Sequence, residues 1–396
     1  MRILFVCMAE SIHSARWVGQ IVDQGWDVRL FPVYRQKLHQ AFKKVTYYSS
    51  LLHRSKNIDP SVRYSFRSSP YFRLDAFNSN FPYFPNVQFR ERALVKVIKR
   101  FKPDIIHSLE IQHAGYLTLS IRGKFGKQFP AWIVTNWGSD IYLFGRLKKH
   151  IERIKSVLAR CDYYSAECQR DINLAREMGY HGKVLPVFPN GGGFDLERVR
   201  KLRQEGPTSE RRLILLKGYQ SWAGRALVGL RALALCAQEL EGYRVAIYAA
   251  SPEVEIAAEL FAQDNHIPTE IIPACEHEYM LHLYGQARLY IGLSISDGIS
   301  TSLLEAMVMG AFPIQSCTAC ADEWIVDGKS GFVVPPEDPE VIAKAILRAL
   351  SDDRLVDRAA EINAQVTEER LDQRLIQPQV VEIYQKIYAE RLLKKG

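Results

Sequence analysis

The sequence predicts an α/β protein built from two Rossmann-like, doubly wound domains that face each other across a central cleft. Three observations carry this reading. The chain has 396 residues, more than one ordinary hydrophobic core organises, so two domains is the natural division. Short apolar runs alternate with helical segments throughout, the pattern of parallel strands joined by crossover helices. That series is interrupted at 188–211, FPNGGGFDLERVRKLRQEGPTSER, where glycine, proline and charge crowd together as in a linker.

The elements follow in order. In the first half, strands are predicted at 2–7 (RILFVC), 27–33, 103–107, 131–135 (AWIVT), 162–165 and 184–187 (VLPV), with helices between them at 13–24 and 146–160 among others. After the linker a second series begins, with strands at 212–217 (RLILLK), 243–248, 268–272, 288–292 (RLYIG) and 312–316. The predicted domains are 1–195 and 196–373, and a charged amphipathic helix at about 374–396 is expected to pack back on the first domain. Pro378 predicts a kink in that helix.

Composition excludes several classes. The hydrophobic fraction of 47% and charged fraction of 24% are those of a globular protein. No window offers about 18 uncharged apolar residues, and MRILFVCM is too brief for a signal-peptide core. The seven cysteines are scattered, and the lone pair Cys317/Cys320 lacks the further soft ligands of a zinc site. A reducing, cytoplasmic setting is expected, with no metal and no cofactor. Neither half has Gly-x-Gly-x-x-Gly after its first strand, which argues against a nicotinamide dehydrogenase. No recognition helix or RNP-like motif supports a nucleic-acid partner.

Charge is divided unevenly. Residues 1–195 carry 30 Lys and Arg against 15 Asp and Glu, whereas 196–396 carry 22 against 29. Such a split points to an anionic partner. Residues 35–73 hold nine Lys and Arg against one Asp, and 42–89 hold twelve aromatics. The segment RERALVKVIKRFK at 90–102 sets Leu94, Val95, Ile98 and Phe101 at helical spacing among six basic residues. It reads either as a helix burying that stripe against the first sheet or as a surface for anionic membranes.

The richest stretch is SISDGISTSLLEAM at 294–307. It follows a strand, and in doubly wound sheets ligands bind at the carboxyl ends of strands. A helix starting at about 300–302 would present free N–H groups and partial positive charge to a diphosphate. Gly298 and Ile299 carry the backbone close to it, and Ser300, Thr301 and Ser302 cap or donate. Glu305, one turn in, suits ribose hydroxyls, and Asp297, before the turn, suits a sugar ring. The layout fits a nucleotide sugar. An Asp-Gly turn before an ordinary helix is the plain alternative.

The region 294–346 resembles the signature of the retaining nucleotide-sugar glycosyltransferases known as glycosyl transferases group 1. The marks are Asp297 and Glu305 with seven residues between them, LLEAM, EWIVDGKSG and VVPPED. KPDIIHSLE at 102–110, TNWGSD at 135–140 and VLPVFPNGGGFD at 184–195 resemble further family marks in family order. The resemblance implies the GT-B fold and transfer of a sugar with retention, without a metal. It implies that Lys217 and Arg225, which bracket the first loop of the second domain, hold the diphosphate, in inverted order relative to the family. Three departures stand out. The leading acid is Asp297 where the family has Glu; Trp137 stands where the family often has His; and CMAESIHSARW lacks the usual Gly-Gly. Ser11, His13, Ser14, His107 and Asp140 are then candidates for the acceptor side. The expected acceptor is a glycan or lipid-linked molecule in cell-surface polysaccharide or glycolipid synthesis, with the enzyme cytoplasmic and peripheral at the inner face of the membrane. The alternatives are a degenerate nucleotide-sugar-binding protein, a GT-B sugar-nucleotide epimerase or a phosphorylase.

Overall fold

Two all-parallel sheets organise the chain, each in its own unit, Met1–Gly192 with Ile376–Gly396 and Gly193–Leu375. The structure, a computed structural model, describes residues 1–34, 37–49, 57–66, 89–189 and 191–393. The aromatic run FPYFPN, much of the arginine-rich stretch before it and Asn190 of the FPN mark lie outside the described residues.

In the first unit the strands are β1 (Arg2–Cys7), β2 (Asp27–Pro32), β3 (Thr46–Tyr48), β4 (Arg63–Ser65), β5 (Ile105–Leu109), β6 (Ala131–Thr135), β7 (Tyr163–Ser165) and β8 (Lys183–Val184). Their order is β4-β3-β2-β1-β5-β6-β7-β8, so the winding reverses between β1 and β5. The second unit adds β9 (Leu213–Lys217), β10 (Arg244–Tyr248), β11 (Thr269–Ile272), β12 (Ala287–Gly292), β13 (Phe312–Ser316) and β14 (Phe332–Val334). Here the order is β11-β10-β9-β12-β13-β14, with the reversal between β9 and β12.

Uninterrupted apolar strands follow from burial on both faces. Leu4 and Val6 of β1 enter one core while Ile3, Phe5 and Cys7 enter the other. In β9, Ile214 and Leu216 face one layer of helices, and Leu213 and Leu215 the opposite one. Three strands escape the sequence pattern: β3, β4 and β14 have three residues each, too few to show a period. The segment predicted as a strand at 184–187 keeps only Lys183–Val184 in the sheet.

The helix Phe89–Phe101 settles one of the two readings of its segment. Leu94, Ile98 and Phe101 are buried in the first core, so its apolar stripe belongs to the fold. No described helix is long and apolar enough to cross a membrane.

The last helix, Gln373–Leu393, contains Pro378. From Ile376 onward it belongs to the first unit, where Tyr384 completes a buried hydrogen-bond chain. Trp17 Nε1 donates to the Tyr384 hydroxyl at 2.9 Å, leaving that hydroxyl to donate to His107 Nδ1 at 2.7 Å. His107 Nε2–H then donates to Thr135 Oγ1 at 2.6 Å. Burial pushes the imidazole down to about 3, so it is neutral. His107 is 0% exposed and lines no surface, which corrects its place among the acceptor-side candidates: two hydrogen bonds and a closed core make it structural.

The carboxyl ends of β5, β6 and β7 lead to buried acids. Glu110, with φ 81°, accepts from the amides of His113 and Ala114. Asp140 Oδ2 accepts from the amides of Ile111 and Trp137, both at 3.1 Å. Asp171 accepts from Asn136 Nδ2 at 2.7 Å and Arg170 Nε at 2.8 Å. Burial raises all three, Asp140 to about 7.

Two predictions follow from these contacts. Tyr384→Phe leaves the Trp17 N–H and His107 Nδ1 unsatisfied in a dry core, and is expected to cost about 2–5 kcal/mol in urea denaturation; a loss below about 0.5 kcal/mol would show the chain to be idle. The second concerns pH. Asp140 holds its proton in the folded state up to about 7, against 3.8 ordinarily, so its contribution is full below the ordinary value and is lost as pH rises through about 7. Asp140→Asn, whose amide oxygen still accepts both N–H groups, should lose less stability than the wild type between pH 4 and 8; parallel stability–pH curves would contradict this.

Candidate functional site

The winding reversal in the second unit brings two loops together, the one leaving β9 and the one leaving β12. Lys217 closes β9 and is half-buried; its side chain makes no ion pair or hydrogen bond to a described residue. Gly218 follows because the chain is pinched there: an added Cβ would lie 2.8 Å from Ala250 Cα and 2.9 Å from Tyr248 O. The loop then folds onto the exit of β12. Arg225 N donates to Leu293 O at 3.1 Å, and Ile295 N donates to Ala223 O at 2.9 Å. Gly224 and Ser294 pair as an antiparallel bridge. No side chain fits at 224, since a Cβ would come within 1.9 Å of Tyr219 O.

Arg225 stands before the helix Ala226–Ala234. Its Nε donates to Glu337 Oε1 at 2.8 Å, and Nη1 donates to Gly224 O at 2.8 Å. Nη2 makes no hydrogen bond to a described residue. Glu337 belongs to VVPPED, the last mark of the signature, so the structure ties two separate sequence marks into one ion pair.

Beyond Ile295 the chain turns through Asp297 and Gly298, where Gly298 N donates back to Asp297 Oδ1 at 3.0 Å. Asp297 N donates to Thr318 O at 3.4 Å, and Thr318 Oγ1 to Ser294 O. Ile299 is buried and packs in the core beneath. The helix Thr301–Met309 begins at the predicted place. Ser300 is its N-cap, but no side chain caps it, so its first amides are open to an anion. Beneath this end, Tyr284 OH donates to Tyr248 OH, and Tyr248 OH to Ser302 Oγ, each at 2.8 Å. Burial raises all of these phenols, and Tyr290 beside them, so they are neutral donors.

Glu305 is one turn into the helix and 7% exposed. His277 Nε2 lies 2.6 Å from its Oε1, and the imidazole, half-exposed at the start of the helix His277–Gln286, fixes the carboxylate's orientation. Sequence reading missed His277, Tyr248 and the role of Glu337. His277 is 28 positions from Glu305, and only the fold joins them; a histidine at a predicted helix start after a sheet strand was the available signal.

The acceptor-side candidates lie in the first unit, at its own reversal between β1 and β5. Ser11 is the half-buried N-cap of the helix Ile12–Gly19 and makes no side-chain cap bond. His13 meets Trp137, their rings 5.9 Å apart and inclined at 59°. The residue that departs from the family pattern therefore contacts the imidazole proposed to compensate for it. Ser14 is fully buried. Asp140 lies beneath the loops 110–114 and 137–140 and orders their amides, 6% exposed; it acts on their shape, and its carboxylate is not presented at the surface.

Comparison with known proteins gives this geometry its context. The glycosyl transferases group 1 family matches residues 204–366, and the glycosyl transferase 4-like family matches residues 2–167. No curated protein matches the chain by sequence. Among solved structures, sucrose-phosphate synthase from Thermosynechococcus elongatus is similar at a TM-score of 0.70 and 15% identity, over 98% of this chain and 100% of that one. Anabaena HepE in complex with UDP and glucose gives 0.67 and 16%, over 98% and 100%. A glycosyltransferase from Rickettsia africae gives 0.65 and 16%, over 99% and 98%. At such identities these likenesses concern the fold, which is GT-B. The two units thus each match a glycosyltransferase family, glycosyl transferase 4-like in the first and glycosyl transferases group 1 in the second.

Proposed function

We propose that the protein is a retaining, metal-independent glycosyltransferase. It moves a sugar from a nucleoside-diphosphate sugar to a hydroxyl of a glycan or lipid-linked acceptor, in cell-surface polysaccharide or glycolipid synthesis at the cytoplasmic face of a membrane. The observation that carries the reading is the uncapped amino end of the helix Thr301–Met309, with Asp297 before it and Glu305 one turn within it. Lys217 and Arg225 sit on the loop that adjoins it.

The chemistry follows from charge. As the bond to the anomeric carbon breaks, the leaving diphosphate gains negative charge. The helix end, Lys217 and Arg225 stabilise that gain most where charge is greatest, in the transition state. The sugar becomes oxocarbenium-like, and the acceptor hydroxyl attacks the face the diphosphate leaves. A diphosphate oxygen takes the hydroxyl proton. Asp297 orients the sugar hydroxyls. Glu305, held by His277, accepts from the ribose diol, and the imidazole borders that subsite. Gly298 and Ile299 carry the backbone past the donor, and Ser300, Thr301 and Ser302 donate from the helix start. His13 and Ser11 line the acceptor side.

Similar structures were solved with UDP-glucose, in Anabaena HepE, and with UDP-2-fluoro glucose, in an Escherichia coli protein. UDP-glucose is therefore the first donor to test. A thermal-shift panel of nucleotide sugars should identify the base and sugar together. Release of nucleoside diphosphate that requires acceptor separates an enzyme from a binding protein, and the anomeric configuration of the product tests retention.

With the donor in hand, Arg225→Ala is expected to lower kcat about 100-fold or more, by loss of a charged transition-state contact. Glu305→Ala should weaken donor binding about 10- to 100-fold, the worth of a charged hydrogen-bond acceptor. Unchanged turnover in both variants would remove the site assignment. Activity should survive EDTA; loss reversed by Mg²⁺ would contradict the metal-independent reading.

A further inference from the structure

The amino ends of the strands in the first unit hold a second site, far in character from the loops described above. A cavity of about 930 Å³ opens there, bordered by Arg2 at the start of β1, Ala131 at the start of β6, and Asp162 and Tyr163 at the start of β7. This is within the roughly 300–1,000 Å³ of small-molecule sites. Ligands of doubly wound sheets gather at the opposite, carboxyl ends, so neither donor nor acceptor chemistry accounts for it.

Its lining is cationic. Arg2, Lys99, Lys102, Arg122, Lys127 and Arg391 converge from separate segments of the chain, the last from the C-terminal helix, and Asp162 is the single carboxylate among the described lining residues. Lys124 joins the cavity to a shallower groove along the helix Phe89–Phe101, which Arg92, Lys96 and Arg100 continue. Some of this charge has an internal use, because helix C-termini point here and attract cations. Arg2 Nη1 donates to Phe101 O at 3.2 Å, and Arg391 Nη1 to Phe129 O at 3.2 Å. Arg2 also meets Asp104 at 3.6 Å, and Arg122 meets Asp162 at 3.7 Å.

Internal partners do not exhaust the donors. Arg122 Nη1 and Arg391 Nε are buried without a hydrogen-bond partner among the described residues. Buried guanidinium N–H groups need acceptors, and several planar donors in one concave site match phosphate oxygens. Arg122 is also held in place, stacked 5.1 Å above the Phe129 ring and 5.6 Å from the Trp132 ring, so it is positioned before any ligand arrives. Lys99, Lys102 and Lys127 are exposed at the rim, where they add attraction without needing fixed geometry.

We propose that this cavity binds a ligand carrying two or more phosphate groups, with Arg122 and Arg391 at its floor and Lys99, Lys102 and Lys127 at its mouth. Two sources offer that chemistry, the headgroups of anionic lipids and soluble polyphosphorylated molecules.

The test uses tripolyphosphate as probe and the full-length protein, by calorimetry at about 0.1 M salt, where exposed charges still act over about 10 Å. It is run in the Arg225→Ala variant as well, so that phosphate binding at the proposed donor site is read separately. Saturable binding is expected in both proteins. Lys99→Glu with Lys127→Glu, both exposed, should weaken it about tenfold or more. Lys329→Glu with Lys344→Glu, the same charge change on the second unit, should leave it intact. Absent binding, equal binding by the Lys99/Lys127 variant, or full displacement by a nucleotide sugar would overturn the proposal. Vesicles containing cardiolipin, which carries two phosphates, decide the source: competition with tripolyphosphate supports a lipid headgroup at this site, and indifference supports a soluble ligand.

Discussion

Parallel pairing of β9 with β12 is the constraint on which the second unit's candidate site depends. After a shift of register between Ala287 and Leu289 the two strands advance together, Ile214 beside Leu289 and Leu216 beside Ile291, so both end at the same level. Because the winding reverses between them, their exit loops turn toward different helices and leave a space at the divide. Lys217 stands at the end of one strand and Asp297 just beyond the other. The backbone bonds between Arg225 and Leu293 and between Ile295 and Ala223 then lock the loops, and the glycine at 224 is what lets the first loop fold back so tightly on Tyr219.

What was legible in the sequence follows the range of each interaction. The central strands were readable because burial on both faces forces continuous apolar runs. The helix start near Thr301 was readable because Asp-Gly, a serine N-cap and an apolar run are all local. Glu337 was visible as part of a motif, but its bond to Arg225 crosses 112 positions and no local pattern announces it. His277 was invisible as a partner of Glu305 for the same reason. The short strands β3, β4 and β14, at or next to a sheet edge, were lost because three residues carry no period. His107 shows the opposite error: a histidine at a strand's end invites a chemical role, yet β5 is central and its side chain faces the core. Only the contact with Tyr384, from a helix 277 positions away, reveals why an imidazole is there at all.

The uneven charge of the two halves acquires a location. In the first unit much of the excess basic charge borders the amino ends of the strands and the outer face of the helix Phe89–Phe101. The carboxyl ends of the same strands carry buried acids instead. Burial raises the proton affinity of both Glu110 and Asp140, with Asp140 adding to the effect at Glu110 and Asp171 to that at Asp140, and their oxygens face backbone amides. One sheet thus presents opposite electrostatic characters at its two ends. Helix C-termini and cations share one end, and loop amides organised by acids share the other. A net charge read from composition hides this separation, and a partner that senses it must be anionic at only one of the two ends.

The groups beneath the amino end of the helix Thr301–Met309 bear on how that end can serve a diphosphate. A carboxylate there would satisfy the open amides and compete with the ligand. The protein instead places phenols, with Tyr284 donating to Tyr248 and Tyr248 to Ser302. Burial raises their ionisation well above the ordinary value, so they support the helix end without cancelling its partial positive charge. The acids stand clear of it on either side. Asp297 is engaged by the amide of Gly298 before the turn, and Glu305 is turned to His277 a full helical turn beyond. Substituting Asp for the family's Glu at 297 shortens the leading acid by one methylene, and the bond from Gly298 N shows what the shorter side chain does: it closes on its own turn. If Asp297 orients the donor sugar as proposed, that sugar would sit closer to the loop than a longer acid would require, so the choice of donor sugar, and not the diphosphate seat, is the property this residue would affect most.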